Sequence, residues 1–332
     1  MLTTTRSLLP NSLRTLAGAA LLCLAGTAAA MPVSEYGLIV LENLEASVKV
    51  GSNTFVGGNV TGNHADFGRS LDRSTQGRSA EIAGNLNGTI TVGAGYVAVG
   101  GNDHTSNLNC NGNGFGQGRC LQLDSSLQSR ALDLKNQLYD DTLNISRLDS
   151  NGEVVSQGNS RILHYSGSES VAVFELSGET LFKQNSNWSL AAGDAETVII
   201  NVSGKAIGHG GGVHFSQGFG AGSDSINVGA SNILWNFHEA ESIDFGNTVF
   251  TGSVLAYNAA IANLNHLYGS LAVTSYARGD NGQIHNYHFN GIDLPSSPTA
   301  PAVPVSEPPL WTMLLLGAGL LVMGLRRRMR TA

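Results

Sequence analysis

Between Val33 and Leu294 the chain has no proline, and six of its eight prolines crowd into Pro295–Pro309. Without proline, every backbone N–H in that long region can join a hydrogen-bonded ladder. The abrupt return of proline marks residues 295–309 as an extended, exposed linker. Basic residues are also scarce. Six of the 18 Lys+Arg, but only one of the 25 Asp+Glu, lie in the two ends; the body keeps 12 basic against 24 acidic residues, a net charge of −12. Such a surface repels nucleic-acid phosphates and anionic membranes, so nucleic acid is excluded as a partner. The body also lacks a G-x-S-x-G elbow, an H-E-x-x-H pair and a Walker loop, which removes the common hydrolase, zincin and nucleotide-binding signatures. Long apolar runs are missing from it too, and occur only at the two ends.

Those ends read as addresses. Arg6 and Arg14 precede the apolar run Leu16–Gly26, and Ala28-Ala29-Ala30 follows. This is a secretory signal, residues 1–30, cut after Ala30; the run is too short for a membrane span. Cys23 lacks the small residues before it that a lipoprotein site needs. At the other end, sixteen mostly apolar residues, 310–325, are followed by Arg326, Arg327, Arg328 and Arg330 in the tail 326–332. As a transmembrane helix the run is about 24 Å long, short against a ~30 Å bilayer core, with the arginines held on the cytoplasmic side. Export leaves Cys110 and Cys120 as the remaining cysteines, bracketing "NGNGFGQGR". An oxidising compartment favours a disulfide closing that loop, with a metal site as the alternative.

The body, 31–294, repeats itself. "IAGNLNG" at Ile82 returns as "VGGNDH" at Val99, seventeen residues on, and "FVGGNVTG" at Phe55 is an earlier copy. The same step links Trp235, Gly252, Gly269 and Asn286. It stacks Phe250, Leu267 and Ile284 in one column and Val254 with Leu271 in another. A repeat this short buries its inward side chains only against its neighbours, as in a β-solenoid whose Gly and Asn corners tolerate positive φ. Two such blocks are expected, Leu38–Asn107 and Thr197–Phe289; a β-sandwich with accidental spacing is the alternative. Between them, Leu123, Leu127, Ala131, Leu134 and Leu138 have helical spacing. They predict an amphipathic helix over Asp124–Asp140 that covers an open end or face of the solenoid, or else binds a partner.

Candidate chemistry is thin. His209 and His214 flank three glycines and could share a metal or serve as turn residues. His285 and His288, three apart in a predicted strand, point to opposite faces. Asp140-Asp141 reads as a solvated helix end. Glu239 and Glu241 could share a face, which keeps a β-helical polysaccharide lyase or hydrolase as the alternative function. Calcium could bind so acidic a surface, although no complete ligand set is present; no cofactor and no catalytic residue are assigned. Ice binding on a flat solenoid face requires a regular outward row of threonines, which the seventeen-residue steps do not show.

Two resemblances add to this reading. The tail, with Ser306, Glu307 and Pro308 before its apolar run and arginines, resembles a PEP-CTERM sorting signal, although Ser306 stands where the first proline usually is. The resemblance implies an exosortase as partner, transient insertion in the inner membrane of a Gram-negative bacterium, and a temporary anchor; a permanent single-pass anchor is the alternative. The body resembles the choice-of-anchor A domain, an adhesive domain of bacterial surface proteins. The resemblance rests on "YGLIVLENL" at Tyr36, "FVGGNVTG" at Phe55, "VAVGGN" at Val97, "TVIINVSG" at Thr197, "NILWNF" at Asn232 and "FTGSVLAYNAAI" at Phe250. It implies a non-catalytic role at the cell surface or in extracellular matrix or biofilm, contacting polysaccharide or matrix, and supplies no catalytic residues.

Overall fold

The structure is a computed structural model and describes residues 30–291, except 46, 62–63, 111–114, 116–118, 209–210, 217, 220–228 and 277–281. The fold is mainly β, with parallel sheets and, among the described residues, three helices: α1 (Pro32–Glu35), α2 (Leu127–Ser146) and α3 (Gly178–Leu181). The signal, linker, apolar tail, sorting motif and terminal arginines lie outside the described residues. Among those described, no helix is long and apolar enough to cross a membrane.

The longest sheet has twelve strands, ten of them in the spatial order Val171–Ser177, Thr197–Ser203, Ile233–Asn236, Ser253–Ile261, Leu271–Tyr276, Leu38–Val40, Thr54–Val56, Arg78–Ile82, Tyr96–Val99 and Leu121–Leu123. A second sheet of seven runs beside it: Val249–Thr251, His266–Tyr268, Gly282–His285, Val48–Val50, Ala65–Phe67, Leu86–Val92, Asp103–Asn109. Neighbours in both are parallel, and from Val249 on, as in the first part of the chain, successive strands alternate between the two sheets; the passes through Val171–Ser177 and Thr197–Ser203 instead lay Asn187–Ala191 and His214–Phe215 on a separate four-stranded sheet with Glu153–Gln157 and Ser160–His164. The order in space is not the order in sequence. Leu38–Val40 pairs with Leu271–Val273 on one side and Thr54–Val56 on the other. The two blocks expected from the repeat are therefore one continuous stack, with the first strand laid against one of the last. The stack also takes in Val171–Ser177, which precedes the expected second block.

The predicted column is present: Phe250 pairs with Leu267 and Leu267 with Ile284, all fully buried, and Val50 extends it. Val254 pairs with Leu271 as the spacing requires. Trp235 does not follow the seventeen-residue step; it pairs with Val254, nineteen residues on. The extra length is taken up by the segment that also forms the short strand Ser242–Ile243, which joins the long sheet. Around Trp235 the interior is aromatic, with ring centroids of Phe250, Phe215 and Phe219 at 5.0, 5.7 and 5.9 Å. Its indole N–H is satisfied by the Thr251 carbonyl at 2.8 Å.

The corners show why glycine and asparagine recur. The Asn59, Asn85 and Asn102 backbone N–H groups donate to the side-chain oxygens of Asn43, Asn59 and Asn85 at 2.9, 2.8 and 2.7 Å, a ladder that climbs rung by rung. A Cβ at Gly58 or Gly101 would sit 2.6 Å from a carbonyl oxygen of the neighbouring rung. Neither glycine has positive φ. At these two positions glycine is there because successive rungs approach too closely for a side chain, whereas Gly68, Gly95 and Gly252 take the positive φ expected of the corners.

Helix α2 runs along the stack rather than over its end. It packs chiefly on Ser253–Ile261, Thr197–Ser203 and Ile233–Asn236. Leu127, Leu134, Leu138 and Ile145 are buried against the outer face of the long sheet, where Ile39, Phe55, Leu255 and Ala272 form a second apolar layer. Twenty residues at 1.5 Å each span about 30 Å, roughly six strand spacings. Its bounds differ from those expected. Leu123 belongs to a strand and is 70% exposed, and the helix continues past Asp140 because Thr142 and Ile145 prolong its buried face. Its last turn is tied down by a buried pair: Asn236 Nδ2 donates to the Thr142 carbonyl and to Asn201 Oδ1, and Asn201 Nδ2 to the Ile145 carbonyl. Near its start, Arg130 donates to the Tyr36 hydroxyl at 2.6 Å and lies 3.5 Å from Glu81. Burial, with Glu81 adding to it, pushes the Tyr36 phenol up to about 12.

Loops, not the helix, close the ends. After α2, the backbone N–H groups of Asn151 and Gly152 both donate to the Val173 carbonyl, and Asn151 Oδ1 accepts from Val173 N–H. These bonds occupy the outer edge of Val171–Ser177, blunting a site for unwanted strand pairing. At the opposite end Phe115 packs on the core beside Tyr96, centroids 5.4 Å apart.

Leu267→Ala should open a cavity between rungs and cost about 2–5 kcal/mol, measured by denaturant unfolding. A second test concerns Asp141, whose carboxyl is pushed up to about 6 by burial and by Asp140. A carboxyl raised on folding favours the folded state below the unfolded value and loses that advantage as pH rises to about 6. Asp141→Asn should therefore raise the melting temperature at pH 7–8 and change it little near pH 3.

Candidate functional site

The outer face of the long sheet is largely occupied by α2. The outer face of the second sheet carries a row of side chains from seven strands in lateral register: Val249, His266, Gln283, Lys49, Asp66, Thr91 and Asn109. These alternate with the inward Phe250, Leu267, Ile284 and Val50, as the pleat requires. Each is partly or fully exposed. One side chain per strand at the ~4.8 Å parallel spacing gives a regular polar line about 30 Å long. Asp66 is held by Arg69 at 2.9 Å. The row holds one threonine, so it is not the threonine array that ice binding would require.

Beside this line lies a ring cluster. Thr251, Tyr268 and His285 are in register on adjacent strands. The Tyr268 and His285 rings stack with centroids 4.1 Å apart and planes 2° from parallel, and Tyr287 leans on Tyr268 at 5.8 Å. Diagonally across, His266 Nδ1 lies 3.1 Å from His285 Nε2, so one nitrogen donates and the other accepts. Burial, then the neighbouring His266, holds the His285 imidazole below its ordinary value. Sequence reasoning missed this cluster because it applied the seventeen-residue step only to inward positions. Thr251, Tyr268 and His285 are themselves seventeen apart.

The residues singled out from sequence are scattered. Cys110 and Cys120 are joined by a disulfide with Cα atoms 6.0 Å apart. It closes the loop that carries Phe115. Arg119, next to Cys120, pairs with Asp103 on the terminal strand of the second sheet. Glu239 accepts from the Gly204 N–H at 3.2 Å and Glu241 pairs with Lys205 at 2.9 Å. His209 lies outside the described residues; His214 is exposed on a short strand beside Asn187. The strand expected to hold both His285 and His288 ends at His285, leaving His288 half-buried in the following segment. An open hollow of about 370 Å³ is lined by Ser150, Asn151, Gly152, Glu153, His164 and Ser166. There His164 and Glu153 pair at 3.2 Å, and Ser150 Oγ donates to the carbonyls of Gly152 and Val173 rather than to a base. Among the described residues, no three or more His, Cys, Asp or Glu side chains gather as a metal cluster.

A family model described as "Putative Ice-binding-like adhesive domain" matches residues 29–286. Two solved structures are similar at low identity. An ice-binding protein from the Antarctic ascomycete Antarctomyces psychrotrophicus is 13% identical, with 76% of this chain and 95% of that one covered and a TM-score of 0.32. An ice-binding protein from an Antarctic biological consortium is 14% identical, with 83% and 95% covered and a TM-score of 0.25. No curated protein matches.

Replacing Cys110 and Cys120 by alanine should destabilise the fold by roughly 2–3 kcal/mol on the chain-entropy estimate. Non-reducing peptide mapping of exported protein should recover the two cysteines linked.

Proposed function

Because the chain belongs to the ice-binding-like adhesive domain family, we propose that it is an exported, surface-sorted, non-catalytic protein whose second sheet binds extracellular polysaccharide or matrix polymer. The observation that carries this reading is the uncovered row from Val249 to Asn109, which offers one mostly polar side chain per strand along about six strand spacings. A repetitive polymer lying along it meets a repetitive surface. Weak contacts made one after another raise the effective concentration of the next, so affinity accumulates without a deep pocket. The net charge of −12 in the body favours neutral chains over polyanions.

The same reading gives the ends their roles. The signal exports the chain. The body is a choice-of-anchor A β-solenoid carried on a PEP-CTERM tail. Ser306, Glu307 and Pro308 present the tail to an exosortase, and Arg326, Arg327, Arg328 and Arg330 hold it across the inner membrane until it is processed. The final location is the cell surface or matrix.

Purified exported protein should co-sediment with exopolysaccharide of the producing cells and release no new reducing ends or unsaturated products. Lys49→Ala with Gln283→Ala should weaken that binding at unchanged melting temperature. Saturable turnover of the polymer would move the protein to the enzyme class. Equal binding by the double variant would remove the row from the interface.

A further inference from the structure

We infer that His266 and His285 are this chain's two ligands to a divalent transition metal of the zinc, copper or nickel class, at an open site on the outer face of the second sheet. A metal about 2.0–2.1 Å from each of two imidazole nitrogens, with an angle between right and tetrahedral, sets those nitrogens roughly 2.9–3.4 Å apart. His266 Nδ1 and His285 Nε2 are 3.1 Å apart. The hydrogen bond that joins them in the metal-free protein thus already holds them at the separation of two neighbouring positions in a coordination sphere.

The His285 ring is held in advance. The two histidines sit on adjacent parallel strands, and the parallel stack on Tyr268 at 4.1 Å fixes the His285 plane. Both side chains are partly exposed, so an ion can reach them. Entry of the metal needs no net loss of a proton. The hydrogen on the bridging nitrogen moves through solvent to the other nitrogen of its own ring, leaving two neutral imidazoles with their lone pairs toward the ion.

Imidazole donors select borderline metals and disfavour calcium and magnesium, which take oxygen. With no third His, Cys, Asp or Glu gathered beside the pair among the described residues, the remaining positions go to water or to oxygen donors of whatever lies on the face. An ion so held can bridge the protein to a second molecule. This inference stands whether or not the polymer-binding reading holds, since it rests on the pair alone.

The test uses chelator-treated purified protein. Zinc titration by calorimetry should show one saturable site per chain, and zinc should raise the melting temperature of the parent. His266→Ala and His285→Ala should each abolish that site and that shift, while His164→Ala, on a strand of the separate four-stranded sheet, retains both. The Cu2+-loaded parent should show electron-paramagnetic hyperfine splitting from two imidazole nitrogens, a readout that needs no variant to fold. Absence of saturable zinc binding, binding that survives both substitutions, or splitting from fewer than two nitrogens overturns the inference.

Discussion

The structure depends on one strand being shared. Leu38–Val40 takes hydrogen bonds from Leu271–Val273 on one edge and Thr54–Val56 on the other. Its buried Leu38 and Val40 continue the inward columns of both halves. Without it, each half would present an open sheet edge and an unfinished core at the middle of the stack. Parallel ladders gain only from their neighbours, so the missing strand would weaken both sides at once.

The remaining architecture follows from that junction. Once Leu121–Leu123 has been laid at one end, the chain must travel to the other end before it can build back toward the junction. Helix α2 makes the journey, and its length is matched to the strand spacings it crosses. A helix placed there must bury a face, which is why the long sheet is apolar on both sides and why Asn201 and Asn236 sit beneath its last turn as added donors to the Ile145 and Thr142 carbonyls. The second sheet carries no such burden. Its outer row is free to be polar.

Much of this was legible in the residues, and the boundary is physical. The column Phe250–Leu267–Ile284 could be read because adjacent rungs impose a fixed step on inward side chains. The pairing of Leu38 with Leu271 could not, since no local spacing encodes which distant strand closes a ladder. The end of α2 was missed because its buried face turns polar at Thr142. The glycines were found and one of their two causes missed: Gly252 takes the positive φ expected, while Gly58 and Gly101 allow close approach, and composition alone does not separate the two. Tyr268 and His285 were within reach of the same repeat, had outward positions been compared.

The entry and exit of the body also meet, with Phe289 N–H donating to the Val33 carbonyl at 3.2 Å. Both lie by the shared strand, away from the ends of the stack. A pull on the chain beyond residue 291 therefore enters at mid-stack. It loads Gly282–His285 and its neighbours His266–Tyr268 and Val48–Val50 first, beside the shared strand. A polymer held along the outer row would then pull on rungs to either side, and the load would converge on that centre from both directions through the ladders between rungs.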